Sequence, residues 1–172
     1  MKRSIIALSL SALLTAGLSS CSDFLEQPVL GQENLDTYFQ SETDCTKAIT
    51  GCYQSIFYDD WWQIAKFWNL TGMCTDDMWM GNTSQDQGDY LSLAHYTSGG
   101  SSNGAAQNFW QFRYKGIYRC NVAINHIPDA PIANTELQKR LIGEAKFLRG
   151  YFYFDLARNF GGLPLILNEA MP

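Results

Sequence analysis

Apolar residues recur at helical spacing in three stretches of this chain, and each stretch predicts one buried helical face. Cys45, Ala48, Ile49, Cys52, Tyr53, Ile56 and Phe57 share one side of a helix over residues 41–58. Ser41-Glu42-Thr43-Asp44 supplies its N-cap and the acidic groups of its first turn. Gly51 inside that helix costs up to about 1 kcal/mol relative to Ala, which a close helical neighbour would justify. A second face is formed by Phe109, Phe112, Gly116, Ile117, Cys120, Ala123, Ile124 and Ile127, and Pro128 stops that helix. A third, over residues 135–160, carries Leu137, Leu141, Ala145, Leu148, Phe152 and Leu156, widened by Phe147, Tyr151 and Phe154. Glu136 and Arg140 are spaced as an i,i+4 pair. Gly161-Gly162 ends the helix and Pro164 prevents its continuation.

The short turn at 129–134 makes the second and third helices an αα-hairpin. Both apolar faces are broad and need neighbours to cover them. Stacked hairpins of the tetratricopeptide kind bury such faces, although no exact repeat period is present. Asp59-Asp60-Trp61-Trp62 predicts the start of a further helix, with Asp59 or Asp60 as its cap. Residues 70–82 read as a helix end running into a loop. Residues 82–108 are polar and rich in Gly, Ser, Asn and Gln, with only 90–96 apolar enough for a short element. A loop that long inside a compact domain is functional or disordered.

The first twenty residues stand apart. Lys2-Arg3 precedes a mostly apolar run over 5–18, which is too short for a comfortable membrane span and matches a signal-peptide core. Leu18-Ser19-Ser20-Cys21 resembles the lipobox of bacterial lipoproteins, so residues 1–20 are expected to be removed and Cys21 to become the lipidated N-terminus. Its acyl chains would anchor the protein at roughly 0.8 kcal/mol per buried CH₂. Residues 21–34, with Pro28 and Gly31 and no periodicity, read as the tether. Residues 35–172 then form the helical domain. An extended run over 163–167 lies just before the last residue, and the sequence reads as an interrupted chain.

Composition narrows the function. Of 172 residues, 46% are hydrophobic and 17% charged, which supports a folded core. Past residue 20, 10 basic residues face 17 acidic ones, so no basic stripe is expected to track nucleic acid. Aromatics reach 14% and serve a core or a sugar-stacking surface equally well. Besides Cys21, the cysteines are Cys45, Cys52, Cys74 and Cys120. Export would permit disulfides, but 45 and 52 are too far apart to bridge along one helix. The plainer reading makes all four small buried hydrophobes. With no CxxC spacing and two His, no metal or cofactor site is expected.

Several segments together carry a resemblance. The lipobox leads into Cys21-Ser22-Asp23-Phe24-Leu25-Glu26-Gln27-Pro28. Trp110 and Tyr114-Lys115-Gly116-Ile117-Tyr118-Arg119-Cys120-Asn121 follow, then Ile127-Pro128. The block Gly143-Glu144-Ala145-Lys146-Phe147-Leu148-Arg149-Gly150-Tyr151-Phe152-Tyr153-Phe154 runs on to Phe160-Gly161-Gly162-Leu163-Pro164-Leu165. This resembles the N-terminal portion of the SusD/RagB family of nutrient-binding outer-membrane lipoproteins. The resemblance implies a mainly α fold of tetratricopeptide-like helix hairpins with long ligand-binding loops. It implies a lipid-anchored protein on the cell exterior that binds oligosaccharides, or peptides in the RagB branch. It also implies delivery of the ligand to a SusC-like TonB-dependent transporter, with no catalysis.

Within 75–82, Trp79 and Asn82 have the spacing of a stacking Trp and a hydroxyl-binding Asn in starch-binding relatives. An indole face covers the apolar face of a pyranose and an amide serves its rim hydroxyls. The plainer reading packs Trp79 on the scaffold and leaves Asn82 in a turn. Tyr90, His95 and Tyr96, in the following loop, are further ligand-binding candidates. Asp76-Asp77 could be taken for a glycosidase acid pair, but such pairs face each other across roughly 5–10 Å, and a solvated turn is the simpler reading. Trp61, Trp62 and Trp68 read as core, and Lys115, Arg119, Arg140 and Arg149 as ion-pairing groups, one of which Glu144 could serve.

Overall fold

Ser41 opens the first long helix in the predicted way. Its hydroxyl accepts from the Asp44 amide at 3.1 Å, and Glu42 and Asp44 fill the first turn. The computed structural model describes residues 35–57, 59–60, 63–64, 67–79, 81, 88–97 and 103–169. The predicted leader at 1–20, Cys21 and the tether at 21–34 lie outside these, as do Trp61, Trp62 and the side chain of Trp68. In chain order come α1 (Leu35–Tyr38), α2 (Glu42–Phe57), β1 (Asp59–Asp60), β2 (Gln63–Ile64), α3 (Phe67–Gly72), α4 (Gly88–Ala94), α5 (Gly104–His126) and α6 (Thr135–Phe160). A 3₁₀ turn, Ile127–Asp129, follows α5 with Pro128 inside it. The fold is mainly α, as expected. Asp59-Asp60 does not cap a helix. It pairs antiparallel with Gln63-Ile64 in a two-residue ladder, too short to leave any period in the sequence.

Helices α5 and α6 form the core hairpin. Contacts run from Phe109–Phe160 through Arg113–Asp155 and Gly116–Phe152 to Asn121–Arg149, so position falls along α6 as it rises along α5. The two helices are therefore antiparallel. A Cβ at residue 116 would lie 2.7 Å from the Phe152 ring, so the glycine is what lets α6 approach. Helix α2 lies against both, and Cys45, Ile49 and Cys52 join Ile117, Cys120, Ala123, Leu141, Ala145, Leu148, Phe152 and Leu156 in one buried cluster. Gly51 is not a close-approach point, since nothing lies within 4 Å of a Cβ built there. What its neighbours use is its carbonyl, which accepts from Arg119 Nη1 at 3.0 Å.

The third face is narrower than its pattern suggests. Phe147 and Phe154 are 71% and 61% exposed and do not widen the buried stripe, whereas Tyr151 is half-buried. They sit one heptad apart, on the side of α6 turned away from α5 and α2; Arg158 caps Phe154 with its guanidinium 5.0 Å from the ring centre. The charge pairing also differs. Glu136 meets Lys139 at 2.9 Å and Arg140 meets Glu144 at 3.3 Å, in place of a Glu136–Arg140 pair.

Helix α6 stops at Gly161, whose φ of 77° suits a glycine and whose amide donates to Ala157 at 2.9 Å. The chain then runs extended along the hairpin. Tyr114 Oη donates to Pro164 O at 2.8 Å, and Tyr153 Oη donates to Ile166 O at 2.9 Å while accepting from Ile166 N. Asn121 Nδ2 donates to Ile166 O and Asn168 O, and Arg149 donates to Asn121 Oδ1. These bonds account for the Tyr114, Asn121, Arg149 and Tyr153 positions in the resemblance blocks: they strap the segment after α6 onto the hairpin.

Candidate ligand-binding site

The long polar stretch between α3 and α5 is anchored at both ends. Helix α3 ends at Gly72 and enters turns in which Cys74 N donates to Thr71 O and Thr75 N to Gly72 O. At the other end Asn103 caps α5: its Oδ1 accepts from Ala106 N at 3.1 Å. Its Nδ2 donates to Asp89 O and Ser92 Oγ at 2.8 and 3.0 Å, tying α4 to the start of α5. Asn103 is itself buried. The sequence pattern hides this cap, because the run Gly99–Gly104 reads as a spacer and the apolar period begins only at Phe109. The signal was an Asn immediately ahead of a Gly-Ala-Ala start.

Two of the predicted aromatic residues face solvent. Trp79 is 83% exposed and Tyr96 is 74% exposed. Trp79 therefore does not pack on the helical scaffold. Tyr96 adopts φ +54°, a left-handed conformation unusual for a bulky residue. Its hydroxyl donates to the Cys74 carbonyl, and Cys74 Sγ contacts Leu93 O at 3.9 Å. These two contacts bring the loop carrying Trp79 against the end of α4, where Tyr96 stands. Cys74 is consequently only half-buried, unlike Cys45, Cys52 and Cys120, and it serves as a joint between loops. Tyr90 is half-buried on α4 and His95 is exposed beside Tyr96, while Asn82 lies outside the described residues.

Asp76 and Asp77 are both exposed in the turn after α3, where Asp77 N donates to Thr75 Oγ1. This is the solvated turn that the simpler reading expects. Among the described residues, no three His, Cys, Asp or Glu side chains converge on a possible metal position. No described helix is long and apolar enough to cross a membrane.

A family model described as starch-binding, associating with outer membrane, matches residues 23–171, and the chain belongs to this SusD-like family. SusD-like protein P2 of Formosa agariphila is 29% identical over 156 residues, covering 90% of this chain and 30% of the relative. SusD-like protein P25 of the same organism is 23% identical over 168 residues, covering 87% of this chain and 30% of the relative. SusD-like protein P38 is 43% identical over a shorter stretch of 56 residues, which is 33% of this chain. The chain thus spans 30% of the length of the first two relatives, corresponding to an N-terminal portion. No solved structure matches it.

Proposed function

We propose that this chain is the N-terminal helical part of a surface lipoprotein that binds nutrient oligosaccharides and passes them to a SusC-like TonB-dependent transporter. In this reading α5 and α6 form one unit of a tetratricopeptide-like stack, and the loops between α3 and α5 hold the ligand. The observation that carries it is the 83% exposure of Trp79 on a loop joined to that of Tyr96. An exposed indole presents a flat apolar face to solvent, and the apolar face of a sugar ring is a fitting partner for it. Asn82 and Tyr90 complete the proposed contact set. The family description, starch-binding and associating with outer membrane, supports the same class of ligand and location.

Calorimetric titration with starch-derived oligosaccharides tests the site. Trp79→Ala should weaken binding by about 1 kcal/mol or more while the far-UV spectrum stays that of the parent. Equal affinity in the two proteins would remove Trp79 from the site. Binding of peptides with no sugar binding would favour the RagB-type alternative, and turnover of a glycan by the pure protein would favour a glycosidase.

Anchoring is tested separately. Cys21→Ser should release the exported protein from the outer-membrane fraction and abolish incorporation of labelled palmitate. Retention of the variant in that fraction would rule out the anchor.

A further inference from the structure

We propose that Cys52 and Cys120 are joined as a disulfide when the chain folds in the presence of an oxidising disulfide, pinning α2 to α5 inside the core. Both residues are fully buried, one on each of two helices that pack together. Each thiol is the largest single influence on the other's proton, so the two face each other across the contact between α2 and α5. Side-chain bonds hold the backbones around them in register. Arg119, next to Cys120, donates through Nη1 to Gly51 O and to Ser55 Oγ, each at 3.0 Å, so one guanidinium straddles Cys52. Arg113 reaches the same turn at Ser55 O. Such clamping favours a bridge, because a disulfide tolerates only a narrow range of separations between the two backbones. Cys45 is buried on α2 seven residues earlier, and Cys74 lies half-buried between loops.

In the closed fold the two thiols hold their protons unequally. The hydrogen bond from Cys120, aided by the Arg119 charge, holds the Cys52 thiol below the usual thiol range despite burial. Cys120 keeps the shared proton and is also buried, so its thiol is pushed well above that range. That inequality belongs to the closed fold; before α2 docks either thiol can open the exchange. When Cys52 opens it, its thiolate takes one sulfur of a small-molecule or oxidoreductase disulfide, forming a mixed disulfide and expelling the other sulfur as a thiolate. Cys120 sulfur, on losing its proton, then attacks Cys52 Sγ, closing the Cys52–Cys120 bond and releasing the second donor sulfur. The two cysteines together lose two electrons and two protons, and the donor disulfide becomes two thiols. Because neither sulfur is reachable once the helices have closed, exchange belongs to folding, before α2 docks on α5.

The placement has a consequence for the site. The closed loop would contain α3, α4 and all of the proposed ligand contacts, so the bridge would tie together the two ends of the excursion that carries them. The test uses the full chain, refolded from denaturant with oxidised and reduced glutathione, then alkylated in denaturant and mapped by mass spectrometry. Cys21, Cys45 and Cys74 should take the label. Cys52 and Cys120 should appear as one linked peptide pair, lighter by two hydrogens and separated by reductant. The oxidised protein should unfold at higher denaturant concentration than the reduced one. The double variant Cys45→Ala, Cys74→Ala should form the same link, and Cys52→Ala should leave Cys120 labelled. Full labelling of both cysteines after refolding in oxidised glutathione, or a link between another pair, would overturn the proposal. Neither outcome bears on whether sugars bind.

Discussion

Asp155→Ala is expected to destabilise the folded chain by about 3–5 kcal/mol, because it strands a buried guanidinium. Asp155 is fully buried and Arg113 nearly so, and Arg113 Nε meets Asp155 Oδ2 at 2.9 Å. The guanidinium has further contacts. It donates to Ser55 O at 3.3 Å and lies 4.7 Å from the Phe109 ring centre and 5.8 Å from that of Phe152. With the carboxylate gone, a full charge would remain among aromatic rings with only a carbonyl for company. The double variant Arg113→Met, Asp155→Leu should recover most of the loss, since a buried ion pair is about as stable as an apolar pair of similar size. Arg158 offers the contrast. It binds the same carboxylate from a third-exposed position, so Arg158→Ala should cost no more than about 1 kcal/mol. Denaturant unfolding of the four proteins checks the set, and a loss below about 1 kcal/mol for Asp155→Ala would mean that water reaches Arg113.

Phe152→Ala is expected to cost about 3–5 kcal/mol, the usual penalty for emptying an aromatic site in a packed core. Phe152 is fully buried with its ring against Gly116 of α5. Gly116→Ala attacks the same contact from the other side. A methyl there would lie 2.7, 2.9 and 3.0 Å from three atoms of the Phe152 ring. The ring is boxed in by the core cluster and cannot swing away cheaply, so the substitution should cost about 1–3 kcal/mol. In the Phe152→Ala background the same methyl enters the cavity, and its cost should shrink or change sign. A double-mutant cycle by chemical denaturation measures that coupling. Additive losses would show that the two helices are held apart by other residues.

Much of the scaffold was legible beforehand, and for a simple reason. The period of α2, α5 and α6 repeats over many turns, and Ser41, Pro128 and Gly161-Gly162 mark their ends by local chemistry. Shorter features left no such trace. The Asp59–Ile64 ladder pairs only two residues on each strand, and its two tryptophans and acidic pair read equally well as a helix start. The Gly-Ala-Ala start of α5, with no large apolar residue before Phe109, hid the Asn103 cap. Phe147 and Phe154 flank the apolar stripe of α6 in the sequence and so read as widening it, but both are exposed. A helix covered on one side only cannot bury residues on the opposite side.

Of the candidate site, the spacing of Trp79 and Asn82 pointed to a stretch whose Trp79 is exposed, as is Tyr96 in the loop beyond. Their association was not legible, because it depends on the Tyr96 hydroxyl reaching the Cys74 carbonyl 22 residues away. The left-handed backbone at Tyr96 likewise has no sequence marker, since Gly or Asn is the usual occupant of that conformation.

By itself, the sequence determined the class of fold, the ends of the long helices and the family, because these rest on periodicity, capping residues and short contiguous blocks. Only the tertiary structure decided which polar residues are buried and with what partner. Arg113 and Asp155 are 42 residues apart, and Cys52 and Cys120 belong to different helices. Whether such residues meet depends on the rotation and register of one helix against another. Those quantities are set by how all the apolar faces pack at once, and no stretch of the chain encodes them locally.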